Sequence, residues 1–98
     1  MSLPVVLTPE ARAEFDDGFD FYESRQANLG DVFDDAVNAV LHAIGATPKM
    51  HAVVYRSVRR SVVRGFPYCV YYVEEATRVR VISVFHTSRD PSIWQSRA

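Results

Sequence analysis

An α+β fold, in which a helical hairpin covers one face of a mainly antiparallel sheet, is predicted by three features of the chain. Up to residue 44 apolar residues recur at helical spacing; from residue 52 β-branched and aromatic residues come in short runs; and "GATP", residues 45–48, separates the two patterns. The expected order is β-α-α-β-β-β: an N-terminal strand, the hairpin, a three-stranded antiparallel meander and a short C-terminal helix. With 98 residues, 48% of them hydrophobic, the chain suits one domain over 1–98 built on a single core.

The first strand is "PVVL", and "TPEA" turns it into a helix: Thr8 is a good N-cap and Pro9 sits at the first helical position, where its missing N–H costs nothing. Ala11, Phe15, Phe19 and Tyr22 follow at steps of four, four and three, so the apolar stripe is largely aromatic. Glu14, Asp16, Asp17, Asp20 and Glu23 occupy the other faces as a solvated acidic stripe. Gly18 weakens this helix by about 1 kcal/mol against alanine, which points to close packing there. "RQANLGD" is the connector, with Asn28 expected to cap a second helix whose buried face is Phe33, Val37, Val40, Leu41 and Ile44. Gly45 and the residue before Pro48 end it.

The strand segments are "AVVY", "SVRRSVVRGF", "YCVYYVEE" and "RVRVISVFH". "EEATR" reads as a hairpin turn and "RGFP" as a corner, since proline cannot serve a central ladder. Strict alternation would put Val58, Arg60, Val62 and Arg64 on one side of their strand, and Arg78, Arg80, Ile82, Val84 and His86 on one side of the last. A face that mixes arginines, tyrosines and aliphatics is expected to stay partly open. After "RDP", Asp90 is placed to cap a final helix that Ile93 and Trp94 fasten to the body.

Charge is divided along the chain. Residues 1–48 hold Arg12 and Arg25 against nine acids, a balance of −7, whereas residues 49–98 hold Lys49 and eight arginines against three acids, a balance of +6. Either the halves neutralise one another in the fold, or the basic half faces something anionic such as nucleic acid or an acidic protein. The single Cys69 excludes an intrachain disulfide, and His42, His51 and His86 lack zinc-site spacing, so no metal or cofactor is expected. No apolar run approaches the length of a membrane span and no signal-peptide order opens the chain; the expected compartment is the cytoplasm, with no membrane partner.

Together with this element order, "VRR" (58–60), "FPYCVYY" (66–72) and "VISVFHTSRDPSIW" (81–94) resemble the ParE/RelE superfamily of toxins from bacterial type II toxin–antitoxin pairs, whose ParE-like members include proteins described as plasmid-stabilisation proteins. The resemblance implies a cognate antitoxin that wraps the sheet and hairpin in a hetero-oligomer and silences the toxin. It also implies one of two targets. ParE-like members poison DNA gyrase by binding and are not enzymes. RelE-like members are metal-independent endoribonucleases that cut messenger RNA on the ribosome, and for such chemistry His86 would move the proton while Arg60, Arg64 and Arg89 stabilise the phosphate. Against the RelE pattern, Tyr68 and Thr87 stand where those nucleases place arginines, and Lys49 is the chain's only lysine. The ParE-like, gyrase-binding reading is therefore placed first and the nuclease second.

Overall fold

The computed structural model describes residues 2–98. Strand β1 (Val5–Leu7) leads into helix α1 (Pro9–Arg25), which turns back into α2 (Leu29–Ala46). A 3-10 turn (Pro48–Met50) then enters β2 (Val53–Tyr55), β3 (Val58–Val62), β4 (Tyr68–Glu74) and β5 (Val79–His86), and a single helical turn, α3 (Ser92–Gln95), follows. The five strands are ordered β1-β5-β4-β3-β2. All neighbours are antiparallel except β1 and β5, so the sheet is mixed. The meander has four strands, not three: Arg56, at φ 52°, makes the tight turn that lets "AVVY" pair as β2 with β3.

Helix α1 begins as its sequence requires, with the Thr8 hydroxyl accepting the Ala11 N–H at 3.1 Å. Gly18 is a packing position. A Cβ there would lie 2.7 Å from the Phe33 ring, so only glycine lets the two helices approach this closely. The expected Asn28 cap on α2 is not made. Asn28 adopts the left-handed conformation (φ 71°) that reverses the chain in a short connector, and its side chain makes no capping bond. The Glu23 carboxylate serves instead, accepting the N–H groups of Asn28 and Gly30 at 3.0 Å each. It also lies at the positive end of the α2 dipole.

Between hairpin and sheet, Phe15, Phe33, Val37 and Ile44 pack on Val70, Tyr72, Val81 and Val84. Strict alternation fails in β5. Tyr71 lies opposite Ser83 and Tyr72 opposite Val81, leaving Ile82 as an additional, bulged residue. Beyond it the parity reverses: Val84 faces the hairpin, while Ile82 and Phe85 join Val58, Cys69, Tyr71 and Trp94 on the opposite side. That opposite face is covered at its centre, where α3 lays Trp94 flat on Tyr71 with ring centroids 3.9 Å apart and planes 13° from parallel. Arg60 and Val62 on β3 stay exposed, so the face is partly open as expected.

Candidate functional site

The short β1 leaves β5 with a problem. Pro4 and Thr8 pair with Val79 and Val81 at 2.9 and 3.0 Å, after which β5 has no strand on that side. Buried backbone groups need partners, and two side chains supply them: Glu14 Oε1 accepts the Val84 N–H at 3.2 Å, and Arg97 Nη1 donates to the Ile82 carbonyl at 3.1 Å. Glu14 also accepts from Ser83 Oγ at 2.8 Å and pairs with Arg97 at 2.9 Å and Arg89 at 3.3 Å. Its side chain is 11% exposed. One carboxylate thus joins α1, the open edge of β5 and the C-terminal turn.

Below Glu14 opens a cleft of about 210 Å³ lined by Glu14, Asp17, Phe21, Tyr68, Val84, His86 and Arg89. Two of the predicted site residues, His86 and Arg89, meet here. His86 Nδ1 accepts the Ser88 N–H at 3.1 Å, which puts the neutral ring's proton on Nε2. So held, the ring offers a proton rather than a free lone pair. Tyr68 packs edge-on against it, centroids 5.1 Å apart. Burial pushes the Tyr68 hydroxyl above the ordinary tyrosine range, Tyr22, Asp17 and Glu14 add to the rise, and Arg89 opposes it. Asp90, as expected, accepts the Ser92 N–H at 3.0 Å, and that bond holds its carboxyl below the usual range.

The other two predicted residues stand elsewhere. Arg60 is exposed opposite Tyr71 across β3 and β4, on the face turned away from the hairpin. Arg64 lies past the end of β3 and lines a groove with Ala36, Ala39, Val40, Ala43, Ser61 and Val62, so the parity expected to unite it with Arg60 does not extend that far. Glu14 was hidden in the acidic stripe of α1. A signal was nonetheless available: it falls three residues after Ala11 and four before Gly18, both buried, at the spacing of one helical face.

A strand, a two-helix hairpin and a four-strand meander closed by a C-terminal turn make up the architecture. The family model described as "ParE toxin of type II toxin-antitoxin system, parDE" matches residues 5–91. The chain belongs to the ParE toxin family. No curated protein matches its sequence. Among solved structures, one titled "Chromosomal ParDE TA system from P. aeruginosa" is similar in fold, with a TM-score of 0.64 and 12% identity over 89% of this chain and 98% of that one. Membership of a ParE family implies an antitoxin partner. No helix among the described residues is long and apolar enough to cross a membrane.

Proposed function

We propose that this ParE-family chain is a non-catalytic toxin that inhibits DNA gyrase by binding it, and that a cognate antitoxin neutralises it. One observation carries the choice of binding over catalysis: the cations a phosphate-cleaving site would need are dispersed. His86 and Arg89 line the cleft below Glu14, Arg60 stands on the other face of the sheet, and Arg64 lines the α2 groove. Within the cleft Arg89 is paired to Glu14 and His86 Nδ1 is occupied, so neither free positive charge nor a free base is gathered there.

The groove beside α2, about 430 Å³, suits the antitoxin. Alanines floor it, Val62 is 64% exposed at its lip, and past Arg60 the outer edge of β3 has no strand neighbour among the described residues. A partner can lay an apolar helix along the alanines and add an extended segment to the strand edge. Arg64 at the rim favours an acidic segment.

The test is a supercoiling assay with purified gyrase beside a ribosome-programmed messenger RNA cleavage assay, both on antitoxin-free protein. Gyrase inhibition with intact RNA, unchanged by His86→Ala, is the expected result. Cut RNA with untouched gyrase, abolished by His86→Ala, would replace this reading with a nuclease centred on the cleft.

A further inference from the structure

On the sheet face turned away from the hairpin, arginines and aromatic rings form a connected series. The Arg56 guanidinium lies 5.3 Å over the Tyr55 ring, and Tyr55 meets Trp94 edge-on at 5.8 Å. Trp94 stacks on Tyr71, which lies opposite Arg60 across β3 and β4. Tyr71 also touches Phe85 edge-on at 6.3 Å, and the Arg89 guanidinium lies 5.2 Å over Phe85. All three arginines are exposed, whereas Tyr71, Phe85 and Trp94 are 8%, 2% and 4% exposed. Arg56 and Arg60 form no salt bridge among the described residues, and Arg89 shares Glu14 with Arg97. At Arg56 and Arg60 the charge division seen along the chain is therefore not cancelled, while the hairpin's Asp16, Asp20, Asp31 and Asp35 lie exposed on α1 and α2.

We propose that this arginine-aromatic platform binds the phosphate backbone of duplex DNA. Guanidinium forks match phosphate oxygens in pairs, and rings that are already packed hold the arginines without leaving them free to collapse. Single-stranded RNA or DNA is bound by stacking bases on exposed ring faces; the Tyr71, Phe85 and Trp94 rings are buried, which leaves phosphate contact as the chemistry on offer. Such contact positions a duplex without reading its sequence. The sheet separates Arg56 and Arg60 from the exposed hairpin acids, and salt at about 0.1 M screens charges more than about 10 Å apart. Arg89 is partly neutralised by Glu14, so Arg56 and Arg60 carry most of the platform's free charge. The platform would seat the toxin on DNA, the substrate of the topoisomerase proposed above, yet binding is measured without that enzyme and stands or falls separately from it.

Fluorescence anisotropy with a short labelled duplex, titrated with the full chain between about 30 and 150 mM salt, tests this. The expected result is binding that weakens with salt at a log–log slope of about −2 to −3, as two to three phosphate contacts require. Arg56→Gln and Arg60→Gln should each weaken binding about three- to tenfold and reduce the slope by about one, while Arg12→Gln on the hairpin changes neither. Melting curves of the same variants establish that they fold, and either platform variant suffices. The proposal is overturned by no binding at the lowest salt, by platform variants that behave like Arg12→Gln, by single-stranded RNA binding as tightly as the duplex, or by polyglutamate binding as tightly as DNA.

Discussion

Replacing Gly18 by alanine sets two effects of known size against each other. In an exposed helix the change would stabilise by about 1 kcal/mol, because glycine has the greater backbone freedom to lose. Here the new methyl would sit 2.7 and 2.8 Å from two Phe33 ring atoms, closer than carbon atoms approach. The ring cannot step aside: Phe33 is fully buried, and its centroid lies 4.9 Å from that of Tyr68, 5.2 Å from those of Tyr22 and Phe66, and 6.0 Å from that of Phe15. Overpacking of such a site costs about 1–3 kcal/mol. The difference is a net loss of up to about 2 kcal/mol, and each kcal/mol lowers the melting temperature of a domain this size by about 4–8 °C. Thermal and urea unfolding followed by circular dichroism would measure it. Phe33→Leu should cost less in the Gly18→Ala background than in the wild type, because it makes room for the methyl. A rise in melting temperature for Gly18→Ala, or additivity of the two changes within about 0.3–0.5 kcal/mol, would refute the packing argument.

Three further outcomes follow from the site. Glu14→Ala, which strands the Val84 N–H, the Ser83 hydroxyl and Arg97, should lose about 3–5 kcal/mol in urea unfolding, whereas Glu14→Gln keeps an acceptor for the strand edge and should lose less than half as much; equal losses would mean that charge alone matters. Trp94→Ala should cost about 3–5 kcal/mol through the lost stack on Tyr71, while Trp94→Phe, which removes a buried indole N–H without a partner, should stay within about 1 kcal/mol of wild type by thermal melting. Burial raises the hydroxyls of Tyr68, Tyr71 and Tyr72 above their ordinary value of 10.0, so the unfolded chain gives up these protons first. Their contribution is complete below pH 10 and is lost as pH rises through the raised values, so unfolding midpoints should fall on the alkaline side of pH 10 and hold steady just below it.

The fold could be read from the chain where a local rule governs. The Thr8 cap, the tight packing at Gly18, the turn between β4 and β5 (Glu75 N–H to the Arg78 carbonyl, 2.8 Å) and the Asp90 bond to Ser92 all depend on residues close in sequence or on steric rules that hold anywhere. Where two local solutions competed, the tertiary fold chose. Asn28 could have capped α2, but reversing the chain required its backbone in the left-handed region, and Glu23 from the preceding helix took over the cap.

The candidate site lies at the other extreme. Its composition was visible, since His86 and Arg89 stand three residues apart, but its assembly depended on pairings that join α1 to β5 and to the C-terminal turn across 69 to 83 residues of sequence. Amino-acid type and spacing determined the elements, the divided charge and the family. The bulge at Ile82 reversed the parity of β5, the end of β3 at Val62 separated Arg64 from Arg60, and the shortness of β1 made Glu14 a structural partner of the sheet edge. Only tertiary structure decided these, because a strand's register and the satisfaction of its edge are set by whichever neighbour reaches it, and that neighbour is distant in the chain.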